Sequence, residues 1–286
     1  MLNDLPGYGK VALGGMIPVL TRMGYRVFHL PTAIISNTLN YGKFEVLDTT
    51  DYMINTLKVW KEHGFCDKQS DLEVRDFAID AISTGFILNH RQAEFIREFC
   101  KKQSAKGTVI FCDPIMADNG RLYNSISQQN IEDMRKLIQY ADYCVPNYTE
   151  AVYLTDSKYQ EGSLTEQEIF LLIDKVRKLG PKSVVITSAC VNEKDAICGY
   201  DAIKKVYFTV YYDKIPIYVP GTGDLFLAVL MGEILKTGFL EDERIQPLEQ
   251  SVKYAADVLW KLIDRNKDQQ DYFKGIMVEK DLDVFC

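Results

Sequence analysis

Gly221-Thr222-Gly223-Asp224 sets a carboxylate just behind two glycines and ahead of a strongly apolar run. Glycine lets the main chain approach a ligand closely, and the free N–H groups at a helix start form an anion site. Such a turn can hold terminal phosphates and the negative charge that grows as a phosphoryl group moves. Asp224 could then take the proton from an attacking hydroxyl. An ordinary glycine turn with Asp224 as a helix cap uses the same four residues, and taken alone they favour that reading.

Three further stretches carry polar groups at the ends of apolar runs. Asp113-Pro114-Ile115-Met116-Ala117-Asp118-Asn119-Gly120 follows residues 108–112. Two carboxylates there lie where open α/β sheets bind ligands, and a magnesium ion on a triphosphate takes oxygen ligands of this kind. A tight bend over Asp118-Asn119-Gly120 explains the same residues. Pro146-Asn147-Tyr148-Thr149-Glu150-Ala151 opens a helix, with Asn147 and Glu150 either a cap and its box partner or groups facing metal and phosphates. Val184-Val185-Ile186-Thr187-Ser188 ends an apolar run in two hydroxyls, as many turns do.

The elements that must position these groups alternate between strand-length apolar runs and longer stretches of helical period, the pattern of a parallel sheet covered on both faces. Strands are predicted at residues 25–30, 77–83, 108–112, 143–145 and 183–188. Helices are predicted at 50–63, 91–102, 130–140, 165–179, 224–236 and 248–264. In 165–179, Ile169, Leu172, Ile173 and Val176 recur at three- and four-residue steps, and Ser163 with Glu166 forms a candidate capping box. Residues 206–212 and 215–219 flank Asp213-Lys214 and read as a hairpin feeding the glycine turn. Without repeats, low-complexity tracts or linkers, residues 1–286 read as one domain.

Composition narrows the function. The 286 residues are 47% hydrophobic, enough for one large core, and a net charge of -7 with scattered lysines and arginines offers nothing to nucleic acid. No run reaches the ~18 apolar residues of a membrane span, and the start lacks the features of a signal peptide, so a cytoplasmic protein is expected. Seven cysteines without a C-x-x-C pair suggest reduced thiols, and His29, His63 and His90 have no metal-ligand spacing. Tyr207, Phe208, Tyr211, Tyr212 and Tyr218 could stack on a base or a pyridine ring, although strands favour aromatics anyway. A P-loop is absent from the sequence.

Taken together and in this order, the four stretches resemble the pyridoxal kinase family of the ribokinase-like superfamily. The resemblance extends to Gly7-Tyr8-Gly9, residues 32–44 with Asn40-Tyr41-Gly42-Lys43, 113–123, 146–155, 184–188 and 221–230. It implies a three-layer α/β/α fold with a mostly parallel central sheet. By it, Asp224 matches the catalytic base and Gly221, Thr222 and Gly223 the anion hole. Asp113, Asp118, Asn147 and Glu150 match positions around the metal and triphosphate, with Asp113, Asp118 and Glu150 nearest magnesium. Thr187 and Ser188 match nucleotide contacts, and Asn3, Thr32 and Phe86 fall where the family lines its pyridine pocket.

The activity so implied is ATP-dependent phosphorylation of a B6 vitamer at its 5′-hydroxymethyl group, with Mg2+, a monovalent cation such as K+, and a homodimer. The alternatives are a hydroxymethylpyrimidine kinase and a non-catalytic protein that binds a vitamer or nucleotide. Ala117 replaces a frequent glycine, Phe86 a common tyrosine, and Asn3 the serine of one branch. These departures bear on substrate choice and leave phosphoryl transfer intact. The family pattern also has a strand ahead of Asn3-Asp4-Leu5-Pro6, where only Met1 and Leu2 stand, so a missing or truncated first strand is expected.

Overall fold

Alternate residues of the parallel strands feed two separate cores, so the sheet is apolar on both faces and must be covered on both. Ile110 and Cys112 enter one core while Val109 and Phe111 enter the other, and Val184 and Ile186 oppose Val185 in the same way. The computed structural model describes residues 1–63, 79–124, 126–236 and 246–285. In chain order the elements are β1 (Leu2–Pro6), α1 (Ala12–Arg22), β2 (Leu30–Ile35), β3 (Val46–Asp48), α2 (Thr50–His63), β4 (Ala81–Thr84) and α3 (His90–Ser104). Then follow β5 (Val109–Cys112), β6 (Ala117–Asp118), β7 (Arg121–Leu122), α4 (Gln128–Ile138), β8 (Tyr143–Cys144), α5 (Tyr148–Leu154) and α6 (Glu166–Arg177). The last are β9 (Ser183–Val191), β10 (Lys194–Asp201), β11 (Val206–Tyr211), α7 (Thr222–Lys236) and α8 (Leu248–Asn266).

The main sheet runs β11-β10-β9-β8-β5-β4-β1-β2-β3. From β9 to β2 every pairing is parallel, while β3, β10 and β11 are added antiparallel at the edges. Helices α2 to α6 cover one face through residues such as Met53, Ile96, Leu137, Leu154 and Ile173. The other face carries α1, α7 and α8 through Met16, Val19, Leu225, Val252 and Ala255. This is the three-layer architecture expected, and it brings the carboxyl ends of β1, β4, β5, β8 and β9 to one rim. Among the described residues no helix is long and apolar enough to cross a membrane. Cys100, Cys112, Cys144, Cys190 and Cys198 are free thiols, four of them buried.

Several expectations are corrected. Leu2–Pro6 is itself a strand, paired with β2 on one side and β4 on the other, where the sequence reading placed none. The strand expected at residues 25–30 begins only at Leu30 and runs through Pro31 to Ile35. Of the strand expected at 77–83, residues 77 and 78 lie outside the described residues, and β4 covers Ala81–Thr84. The capping box of α6 is Thr165 with Glu168, not Ser163 with Glu166. The hairpin expected over 206–219 does not form: β11 pairs with β10, and residues 215–219 line a cavity instead.

Candidate active site

Helix α7 is buried from Leu225 to Ile234, so its first turn is fixed against the sheet rim. Gly221, at φ +82°, precedes it, and a Cβ there would stand 2.8 Å from Val11 Cγ1 and 3.0 Å from Lys10 O. Only glycine tolerates both that backbone and that approach. The Asp224 carboxylate is turned away from its own helix start. Its Oδ2 accepts the Ala12 N–H at 2.8 Å and its Oδ1 the Asn3 Nδ2–H at 2.9 Å. The capping alternative is therefore set aside: Asp224 links the start of α1, strand β1 and α7. Burial pushes its carboxyl up, and the two donors oppose that shift. Ala12 itself has φ +46°, a left-handed backbone unusual for a non-glycine residue.

Asp113 follows β5 and is buried; burial, with the Glu150 and Asp224 charges adding, holds its carboxyl well above the usual range. Glu150 has a double commitment. Its Oε2 accepts the Asn147 N–H at 2.8 Å and its Oε1 the Met116 N–H at 3.0 Å. Asn147 completes the box by accepting the Glu150 N–H at 2.9 Å, and donates from Nδ2 to Ala117 O at 2.8 Å. The capping reading of Asn147 and Glu150 thus holds. Burial still pushes Glu150 up, against its backbone donors, with Asp118 adding. Asp118 ends β6, accepts the Asn119 N–H at 2.8 Å, and is also pushed up by burial.

Among the described residues no three His, Cys, Asp or Glu side chains converge as a metal-holding group. The donor set fits a hard cation that keeps most of its shell as water and phosphate oxygen.

A cavity of about 740 Å³ opens beside this rim. Asp118, Asn147, Thr187, Ser188, Thr222 and Gly223 form one polar part of its wall. Val219, Phe226, Leu259, Trp260 and Ile263 form an apolar part. Thr187 is placed by its N–H bond to Pro146 O at 3.0 Å, beside Asn147, and Ser188 has φ +56°. The chemistry of this wall, which combines hydroxyls and N–H groups with large apolar side chains, suits a nucleotide.

The three residues expected around a pyridine ring are placed differently from one another. Asn3 is 4% exposed and reaches Asp224. Phe86 donates its N–H to Asn3 Oδ1 at 2.8 Å. Thr32 is 0% exposed, and its hydroxyl is buried with no hydrogen-bond partner, while its carbonyl accepts from Gln92. Sequence reasoning missed four residues. Asp4 is pushed up to about 7 by burial, with Asp224 adding. Ala12 supplies the N–H described above, and its type gives no signal. Trp260 and Lys214 line the cavity, Trp260 from α8, which the sequence reading gave only as a helix.

The chain matches the phosphomethylpyrimidine kinase family over residues 52–275. It is 31% identical to a Bacteroides thetaiotaomicron protein assigned as a phosphomethylpyrimidine kinase and crystallised in an orthorhombic form with pyridoxal. The two superpose with a TM-score of 0.86 over 99% of this chain and 93% of that one. A pyridoxal kinase of Arabidopsis thaliana is 28% identical over 221 residues, 74% of this chain and 66% of its own length. Against the pyridoxal kinase of Dictyostelium discoideum the match spans 52% of that relative, so the alignments cover between about half and two thirds of these curated relatives. The Leishmania donovani pyridoxal kinase in complex with ADP and ginkgotoxin shares the fold, with a TM-score of 0.79 at 19% identity, over 99% of this chain and 94% of that one.

Proposed function

We propose that this chain, which belongs to the phosphomethylpyrimidine kinase family, transfers the γ-phosphoryl group of ATP to the 5′-hydroxymethyl group of pyridoxal, pyridoxine or pyridoxamine. The observation that carries this reading is the Asp224 carboxylate, held by Ala12 and Asn3 one residue beyond Gly223 in the cavity wall. The likeness to pyridoxal kinases, and to a neighbour crystallised with pyridoxal, supports the choice of vitamer.

In this mechanism the nucleotide base lies against Phe226, Leu259 and Trp260, and the triphosphate runs past Thr187 and Asn147 to the start of α7. The N–H groups around Thr222 and Gly223 face the γ-phosphoryl and stabilise its growing charge. Asp224 accepts the proton of the vitamer hydroxyl while that oxygen bonds to the γ-phosphorus and the bond to the ADP oxygen breaks. Asp113 and Asp118 would hold a magnesium ion, largely through water, and Glu150 would add charge nearby; the ion supplies neutralisation of the phosphates. Thr32, with its buried unpaired hydroxyl, is the residue we assign to vitamer recognition. A cytoplasmic homodimer is part of the same proposal, and sedimentation of the purified chain reads the dimer.

A hydroxymethylpyrimidine kinase is the second reading, favoured by the description of the matched family. Both substrates present a hydroxymethyl group on a nitrogen heterocycle, so the same base serves either. ADP release measured with pyridoxal, pyridoxine, pyridoxamine and hydroxymethylpyrimidine decides between them, with magnesium and potassium varied in turn. Turnover of the vitamers at higher kcat/KM is expected; preference for the pyrimidine would reverse the assignment, and vitamer binding without ADP release would leave only a sensor.

A further inference from the structure

Asn3 uses its whole amide on the protein. Its Oδ1 accepts from Phe86 N at 2.8 Å and from Asp4 N at 3.0 Å, and its Nδ2 donates to Asp224 Oδ1 at 2.9 Å with Met16 Sδ at 3.7 Å. A primary amide has two acceptor sites and two donors, so none is left for a ligand. The orientation is determined as well: turned over, the amide would set its NH2 against the N–H groups of Phe86 and Asp4. Gly85 closes the other side, since a Cβ there would stand 2.5 Å from Asn3 Cγ.

We propose that Asn3 is a positioning residue for the base Asp224, not a ligand of the vitamer. It ties Asp224 to the turn after β4, while Ala12 N–H fixes the second carboxylate oxygen from the start of α1. The inference rests on Asp224 acting as the base. With one donor on each oxygen the carboxylate cannot rotate, and its remaining lone pairs stay aimed at the incoming hydroxyl. Both donors also favour the ionised form that accepts a proton. The titratable groups facing Asp224 are Asp4 on β1 and Asp113 after β5, and the Asp224 charge helps push both of their carboxyls up. From α1 the facing group is the Ala12 N–H, and α7 contributes its own first turn.

Asn3→Asp tests this, because it keeps the shape and both accepting bonds while removing the donor to Asp224. Losing a hydrogen bond to a charged group at this point should lower kcat by about ten- to a hundredfold. KM for the vitamer and pyridoxal binding followed by absorbance should change less than about threefold, because uniform binding is untouched. The acid limb of the kcat profile should move to higher pH, since two carboxylates would then share the site. Gly85→Ala presses on the same amide without altering Asn3, and should give the same kcat loss and the same direction of pH shift. A rise in vitamer KM with kcat and the acid limb unmoved, in either variant, would overturn the proposal and return Asn3 to the substrate. Asp224→Asn separates the two levels. If it stays active, the base assignment itself fails; if it is inactive while both other variants behave as the parent, only the positioning role fails.

Discussion

Glu150 and Asn147 cap α5 reciprocally, each accepting the other's backbone N–H, at 2.8 and 2.9 Å. The same Glu150 reaches the segment after β5 through the Met116 N–H, so one buried carboxylate fastens two loops of the site rim. Glu150→Gln keeps one acceptor but turns an NH2 towards a backbone donor. Leaving that donor unpaired costs about 1–3 kcal/mol, so the melting temperature should fall by several degrees. The check is thermal unfolding of the ligand-free variant. An unchanged temperature would mean the box carries no stability and would free Glu150 for the metal alone.

Asp4 makes the ligand-free protein sensitive to pH. Its carboxyl is pushed up to about 7 in the folded chain against an ordinary value near 3.8, first by burial and then by Asp224. A group that holds its proton more tightly when folded stabilises fully below its unfolded pKa, and this contribution is lost as pH rises through the folded value. The melting temperature should therefore fall from about pH 4 to about pH 7, with Asp113 and Glu150 acting in the same direction. Asp4→Asn should flatten the slope by a few degrees. Parallel curves for parent and variant would show that Asp4 is not the group responsible.

Trp260 sits on α8, 42% exposed, at the edge of the cavity that also presents Phe226 and Leu259. A base stacked on an aromatic ring gains roughly 1–3 kcal/mol. Trp260→Ala should then raise KM for ATP by roughly five- to a hundredfold and leave the vitamer KM near its parent value. Indole fluorescence gives a second readout, since ATP should quench the parent and not Trp260→Ala. Equal nucleotide KM in the two proteins would move the base to another part of the wall.

The glycine turn was legible because Gly221, Thr222, Gly223 and Asp224 are adjacent, and local chemistry alone places them before a helix. Residues whose placement depends on distant partners were not. Thr165 and Ser163 each have a glutamate three residues on, and the choice between them is made by Leu164, whose N–H bonds to Cys190 O at 2.8 Å beside β9 and holds the chain extended until Thr165. Strand β10 contains lysine, aspartates and a glycine, and its pairing is settled by β9 and β11; Gly199 is needed there because a Cβ would meet Phe208 Cζ at 2.3 Å. Leu2–Pro6 carries Asn3, Asp4 and Pro6, poor strand formers, and is made a strand by neighbours on both edges. Asp4 and Ala12 were invisible for the same reason: what they do depends on Asp224, more than two hundred positions away.

The proposed base gives the last prediction. Asp224 lies at the start of α7 with its oxygens on Ala12 and Asn3, and its helix start is closed independently by the Leu225 N–H bond to Gly221 O at 3.0 Å. An aliphatic hydroxyl is too weak an acid to lose its proton before attack, so a carboxylate must take that proton as the bond to phosphorus forms. Asp224→Asn keeps the volume and can still accept one N–H, yet cannot take up the proton. It should lower kcat by roughly 10²–10⁴, the usual effect of removing a general base, with KM for ATP and vitamer little changed. The fold should persist with a melting temperature lowered by several degrees, because the Asn amide turns its NH2 towards one of the two donors and leaving that donor unpaired costs about 1–3 kcal/mol. Steady-state kinetics on a variant shown to be folded decides the matter: turnover within a few-fold of the parent would leave Asp224 a structural link between α1, β1 and α7 and place the proton acceptor elsewhere.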